Sequence, residues 1–169
     1  MSRRAIKKHL TYMIPQIKLA LIREPGEPVP ISSPTDLEPF LEPLRYAPEE
    51  YFLAFHLDVR NRVVGFREIS HGTLSASLVH MREVFKAAIL SNAHAIIVAH
   101  NHPGGSCSPS REDVETTEQL ITAGRILGIQ VVDHLIVTNK DLVSLRVDMP
   151  KLFIAPMPFE SPASWAIGG

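Results

Sequence analysis

Two histidines, His100 and His102, stand one residue apart at the end of the apolar run Ala95 to Ala99, and Asp113 follows after ten further residues. In a strand, side chains at i and i+2 share a face, with Cα atoms ~7 Å apart. Both imidazoles can therefore converge on one ion, at Zn–N distances of about 2.0–2.1 Å. An imidazole carries two polar nitrogens that need partners, so a pair of them makes a poor core. One such histidine reads as a hydrogen-bonded core residue; His-Asn-His at a strand end reads as a metal site. A catalytic zinc wants a third protein ligand and a fourth position left for water. Asp113 is the candidate, because Pro103, Gly104 and Gly105 let the chain turn sharply and bring the next helix start back to the strand end. Ser110-x-x-Asp113 alone is also a capping-box-like helix start; with the histidines it completes a ligand set.

These residues need elements to hold them. Alternation from Gln16 to Arg23 predicts an outer strand. Ser33-Pro34 offers a helix start, with Leu37, Phe40, Leu41 and Leu44 at helical spacing behind it. Tyr51 to Leu57 and Val63 to Ile69 read as a hairpin around the turn Asp58 to Arg62. His80 to Asn92 reads as a helix with Met81, Val84, Phe85 and Ala88 on one stripe. Ala95 to Ala99 reads as a strand buried on both faces, Ser110 to Leu127 as a helix, and Val131 to Val137 with Leu142 to Val147 as a second hairpin. The tail from Met149 is rich in proline and should be irregular, docking through Phe153, Phe159 and Trp165. The order predicts a mixed α/β domain: one sheet with helices packed on it. Residues 1–30 would be a basic arm and outer strand, 31–148 the domain, and 149–169 the tail.

Composition limits the function. Apolar residues make up 45% and charged residues 21% of the chain, which suits a folded water-soluble domain. The net charge of -1 argues against a large nucleic-acid footprint. Arg3, Arg4, Lys7, Lys8 and His9 form the one basic cluster, where nucleic acid would bind if anywhere. Cys107 is the single cysteine, so no internal disulfide forms. No apolar run reaches the ~20 residues of a membrane span, and the N-terminal segment makes a poor signal peptide. A cytoplasmic protein is expected.

The segment His100-Asn-His-Pro103 followed by Ser110-x-x-Asp113 resembles the JAMM signature of the JAB/MPN metalloproteases. More widely, REVFKAAILSNAHAIIVAHNHPGG, SPSREDVETTEQLITAGRILGIQVVDHLIV and VSLR resemble the bacterial RadC proteins, a branch of that fold, over roughly Ile31 to Arg146. The resemblance implies a single JAB/MPN-like (cytidine-deaminase-like) domain with a mixed central sheet flanked by helices. It implies that His100, His102 and Asp113 bind one Zn²⁺ per chain and that Ser110 donates to an oxyanion. It also implies a distant glutamate, expected at Glu50 just before the strand YFLAFHLD, with Glu49 the neighbouring candidate; side chains alternate, so one of the two faces the site. Typical members carry a helix-hairpin-helix module ahead of this domain, and the chain is expected to be a short form without it. Where the family often has Pro-Ser-Gly, this chain has Pro103-Gly104-Gly105, which leaves the ligands alone and loosens the turn.

The chemistry expected is hydrolysis of an amide, peptide or isopeptide bond by metal-activated water, on a peptide or protein substrate. Two other readings compete: a DNA-repair-associated protein that binds nucleic acid through its basic arm, and a non-catalytic MPN-like scaffold, against which the retained ligands count. His134 after Asp133 reads as a partner orienting a ligand or as a core histidine. His71 and His80 flank a loop that could line a substrate groove, and Cys107 lies in the motif loop. The terminal Gly-Gly could occupy a groove, and the outer strand near Ile17 is open to pairing across a homodimer.

Overall fold

Residues 26–72 and 79–154 are described in a computed structural model of the chain. Strong side-chain alternation and β-branched content build six strands: β1 (Val29–Pro30), β2 (Glu50–Leu57), β3 (Arg62–Gly72), β4 (Ala95–Asn101), β5 (Gln130–Val137) and β6 (Leu142–Ser144). They form one sheet in the order β1-β3-β2-β4-β5-β6. Four neighbouring pairs are antiparallel and β4–β5 is parallel. A parallel pair needs a crossover, and the chain supplies it with the helix Arg111–Leu127. The helices are α1 (Glu38–Leu41), α2 (Met81–Leu90), α3 (Arg111–Leu127), α4 (Leu145–Asp148) and α5 (Pro150–Ile154). The expected mixed sheet flanked by helices is what the chain forms.

Alternation splits the core into two layers. Phe52, Ala54, Ile96, Val98 and Val131 pack against Val84, Phe85 and Ala88 of α2 and Leu120 and Ile121 of α3. On the other face Leu53, Phe55, Ile97, Ala99, Leu135 and Val137 pack with Leu37, Leu41 and Leu44. The sheet is covered on both sides, which is why β4 is buried along its whole length.

Three expectations need correcting. The segment after Ser33 is not one helix: α1 sits between 3-10 turns Pro34–Leu37 and Glu42–Tyr46. Pro39 and Pro43 lack the N–H that a continuous ladder requires, and the break leaves Phe40 exposed while Leu37, Leu41 and Leu44 stay inside. The strand expected to reach Val147 stops at Ser144, whose hydroxyl caps α4 by accepting from Val147 N at 3.1 Å. The chain after Met149 is helical through Ile154, because Pro150 is well suited to a first helical position. Leu152 and Phe153 pack against the α2/α3 layer. The strand expected at Gln16 to Arg23, the basic arm, Phe159, Trp165 and the Gly-Gly end lie outside the described residues.

Candidate metal centre

A regular strand pairing and one irregularity of the sheet bring the site together. Phe52 pairs with His100 in the β2/β4 register, and their rings stack with centroids 6.0 Å apart. Between β4 and β5 the register slips after Ile96: Ile96 pairs with Val131, but Ile97 pairs with Asp133. The extra residue reverses the alternation beyond it. His134 therefore shares the face of Val98 and His100, in place of Asp133. The turn after β4 closes with Gly105 N donating to His102 O at 3.0 Å, and Gly105 takes φ 79, a region that favours glycine. That turn returns the chain to α3, whose first turn carries Asp113.

The structure brings His100, His102 and Asp113 together. His100 Nε2 lies 2.8 Å from His102 Nε2 and 3.1 Å from Asp113 Oδ1, and His102 Nε2 lies 3.4 Å from Asp113 Oδ2. These donor atoms all fall within 4.8 Å of one another. His102 Nδ1 donates to the Ser106 carbonyl at 2.7 Å; a carbonyl can only accept, so the neutral ring keeps its Nε2 lone pair for the site. Lone pairs and a carboxylate facing one another this closely require a cation between them, either a proton or a metal ion. The electrostatics agree. A hydrogen bond to Asp113 raises His102 above its ordinary value, against the opposing effect of burial. Burial alone would push the Asp113 carboxyl up, but its close contacts with the His100 and His102 imidazoles outweigh that and hold it well below the carboxylate range.

Ser110 caps α3 and also borders a cavity beside Asp113. Its Oγ accepts from Asp113 N at 3.1 Å and donates to Asp113 Oδ2 at 2.7 Å. His102 and Asp113 border the same cavity, of about 440 Å³, together with Glu50, Phe52, Val79, Ser110 and Glu112, among others. Of the two candidate glutamates, Glu50 reaches this cavity and Glu49 is exposed. His134 is fully buried, with its Nε2 2.8 Å from His100 Nδ1, and burial pushes its ring well below the ordinary histidine value.

His71 pairs with Glu68 at 3.0 Å and stacks on Tyr51, and His80 precedes α2 as its N-cap residue. Of the segment that they flank, Val79 borders the cavity, and residues 73–78 lie outside the described residues. Cys107 is half-buried in the motif loop. Two residues carry more than the sequence reading gave them. Asn101 bonds on both sides of Glu50, through Tyr51 N and Glu49 O. Thr117 lies against His134. A buried amide between two histidines, and a threonine one turn after the aspartate, were the available signals.

A mixed sheet is clad by helices, and two histidines and an aspartate converge where β4 ends, in an arrangement that could hold a metal ion. The family profile described as a RadC-like JAB domain matches residues 31–149, and the chain belongs to that family. Similar proteins include a UPF0758 protein of Caldanaerobacter subterraneus subsp. tengcongensis, 47% identical over 122 residues, or 72% of this chain and 52% of that protein. Another, from Geobacillus sp. (strain WCH70), is 45% identical over 69% of this chain and 52% of its own length. A third, from Methanosarcina mazei, is 43% identical over 69% of this chain and 51% of its own length. The chain thus spans about half the length of the curated relatives it matches. No described helix is long and apolar enough to cross a membrane.

Proposed function

We propose that this domain is a zinc-dependent hydrolase of amide bonds, in peptides or as isopeptides, that uses metal-activated water. The observation that carries the reading is the convergence of His100, His102 and Asp113, with His102, Asp113 and Glu50 bordering one cavity. Two neutral imidazole nitrogens and one carboxylate oxygen are a ligand set of catalytic zinc, with a fourth position open to substrate. Zinc bound there would lower the pKa of a water to about 7 and polarise a substrate carbonyl.

The chain's own groups supply the rest. Glu50 accepts the water's proton and returns it to the leaving amine. The Ser110 hydroxyl, which donates to Asp113 Oδ2, turns its hydrogen towards the developing oxyanion, a contribution worth ~3 kcal/mol per donor. Phe52 and Val79 give the cavity an apolar wall that limits water around the reacting carbonyl. Peptide or protein substrates fit a cavity open to solvent.

The test starts with metal. Untagged wild-type protein should hold about one zinc per chain, lost in His102→Ala and in Asp113→Ala. The loaded protein is then assayed on a library of peptides and isopeptides beside Glu50→Gln. A wild-type chain that takes up no zinc when zinc is added, or that cleaves nothing Glu50→Gln does not, overturns the reading.

A further inference from the structure

Thr117 lies one helical turn after Asp113 on the buried side of α3, and no part of it reaches solvent. Its Oγ1 is 2.6 Å from the Asp113 carbonyl oxygen and 2.6 Å from His134 Nδ1. A hydroxyl has one hydrogen and a carbonyl only accepts, so that hydrogen goes to Asp113 O. His134 Nδ1 must then donate to Thr117 Oγ1. The other polar contact of the His134 ring is His100, and Phe52 lies edge-on against it with centroids 5.5 Å apart. A charged imidazolium so enclosed, with no carboxylate in contact, is strongly disfavoured. The ring is therefore neutral, and with Nδ1 protonated its Nε2 bears a lone pair. That lone pair faces His100 Nδ1 at 2.8 Å, which makes His100 Nδ1 the donor. His100 Nε2 is left as a bare lone pair aimed at Asp113 and His102.

We propose that Thr117 and His134 are positioning residues of the metal centre: a one-directional hydrogen-bond relay, from His100 through His134 and Thr117 to the Asp113 main chain, that sets the tautomer and the ring orientation of His100. It rests on the metal-binding reading of the site. The relay starts at the ring of one ligand and ends on the backbone of another, so it also ties β4, β5 and α3 together where the ligands meet. Partners that orient a ligating histidine in this way typically govern 10–100-fold of metal affinity. The bulge in β5 gains a role, because without it His134 would face the opposite layer.

Two measurements test the relay. The first is nitrogen NMR of ¹⁵N-histidine-labelled metal-free protein at neutral pH. His134 and His100 should both show a protonated Nδ1 and an unprotonated Nε2. The second is zinc affinity, by competition with a chromophoric chelator. Thr117→Val, which keeps the shape and removes the hydroxyl, should weaken zinc about 10–100-fold, and Thr117→Ser should restore most of it. A wild-type His134 protonated at Nε2, or a folded Thr117→Val binding zinc as tightly as wild type, overturns the proposal. If wild type binds no zinc, the hydrolase reading falls, while the nitrogen spectrum still decides the relay. Should Thr117→Val fail to fold, that spectrum and Thr117→Ser decide it.

Discussion

Asn101 Nδ2 donates to the carbonyl of Glu49 at 3.0 Å. The same amide accepts from Tyr51 N at 2.8 Å, so one side chain holds the backbone on both sides of Glu50. The last backbone-paired residues of β2 and β4 are Phe52 and His100, and the amide extends that ladder past its end. Side chains alternate along β4, so the residue between His100 and His102 points away from the candidate metal site and is placed to fix the glutamate's strand. Asn101→Ala should keep its zinc, because no ligand is removed. Its hydrolytic rate should fall towards that of Glu50→Gln, and the double variant should lose little more. Unfolding in urea should show a loss of about 1–3 kcal/mol from the two abandoned partners. Additive rate losses in the double variant would mean that Asn101 does not act through Glu50.

Zinc binding should depend on pH through His102. Its hydrogen bond to Asp113 raises its pKa in the folded, metal-free chain, above the ~6.5 of an unfolded histidine. That proton's contribution to stability is therefore fully present below pH ~6.5 and is lost as pH rises through the raised folded value. Zinc needs the proton removed. Apparent affinity should climb about tenfold per pH unit for this one proton and level off above the folded value. Asp113, held well below the carboxylate range, adds no step there. Chelator competition between about pH 5.5 and 8.5 measures this, and a flat profile through the His102 titration would contradict it.

The convergence of His100, His102 and Asp113 was legible in the sequence because it is local: a strand period of two places His100 with His102, and a Gly-Gly turn followed by a capped helix returns Asp113 to them. The β2/β3 hairpin and the spans of α2 and α3 were legible for the same reason, as periodicity reports one element at a time. What escaped depends on partners distant in the chain. Asn101 meets Glu49 and Tyr51 across fifty residues, and the facing of His134 turns on a bulge that no residue type in Val131 to Asp133 announces. Ser144 escaped because a strand and a cap compete for it, and its hydroxyl is claimed by Asp133 Oδ2 at 2.6 Å as well as by Val147 N.

His56 is a buried cost rather than a functional group. It is 4% exposed, its Nε2 has no partner, and its Nδ1 has only a long 3.3 Å contact with Ser91 Oγ. Burial, with help from the positive charge of Arg67, pushes its pKa down to about 4. A depressed histidine favours the folded state above the unfolded value of ~6.5, and that contribution is lost as pH falls through about 4. His56→Leu should be neutral or stabilising at pH 7, since Ser91 keeps its bond to Ala88 O. Its advantage over wild type should grow by up to about 3 kcal/mol as pH falls across that window. Thermal melts of both proteins at several pH values decide this, and parallel curves would refute it.

Gly124 sets how closely α3 lies on β5. A Cβ there would press into the Ile129 carbonyl oxygen and come within 3.3 Å of both Phe85 and Val131. Alanine improves helix propensity by about 1 kcal/mol, but a backbone oxygen cannot turn aside as a side-chain tip can, and overpacking of this kind costs about 1–3 kcal/mol. Gly124→Ala should therefore be destabilised, with α3 displaced from the sheet. The same helix carries Thr117 and Asp113, about two and three turns nearer its start, so the displacement should weaken zinc binding although residue 124 touches neither histidine nor Asp113. Gly124→Ser should do the same or worse. A Gly124→Ala protein with wild-type melting temperature and wild-type zinc affinity would show that the helix can shift without disturbing the ligands, and that the site tolerates more slack than its short contacts imply.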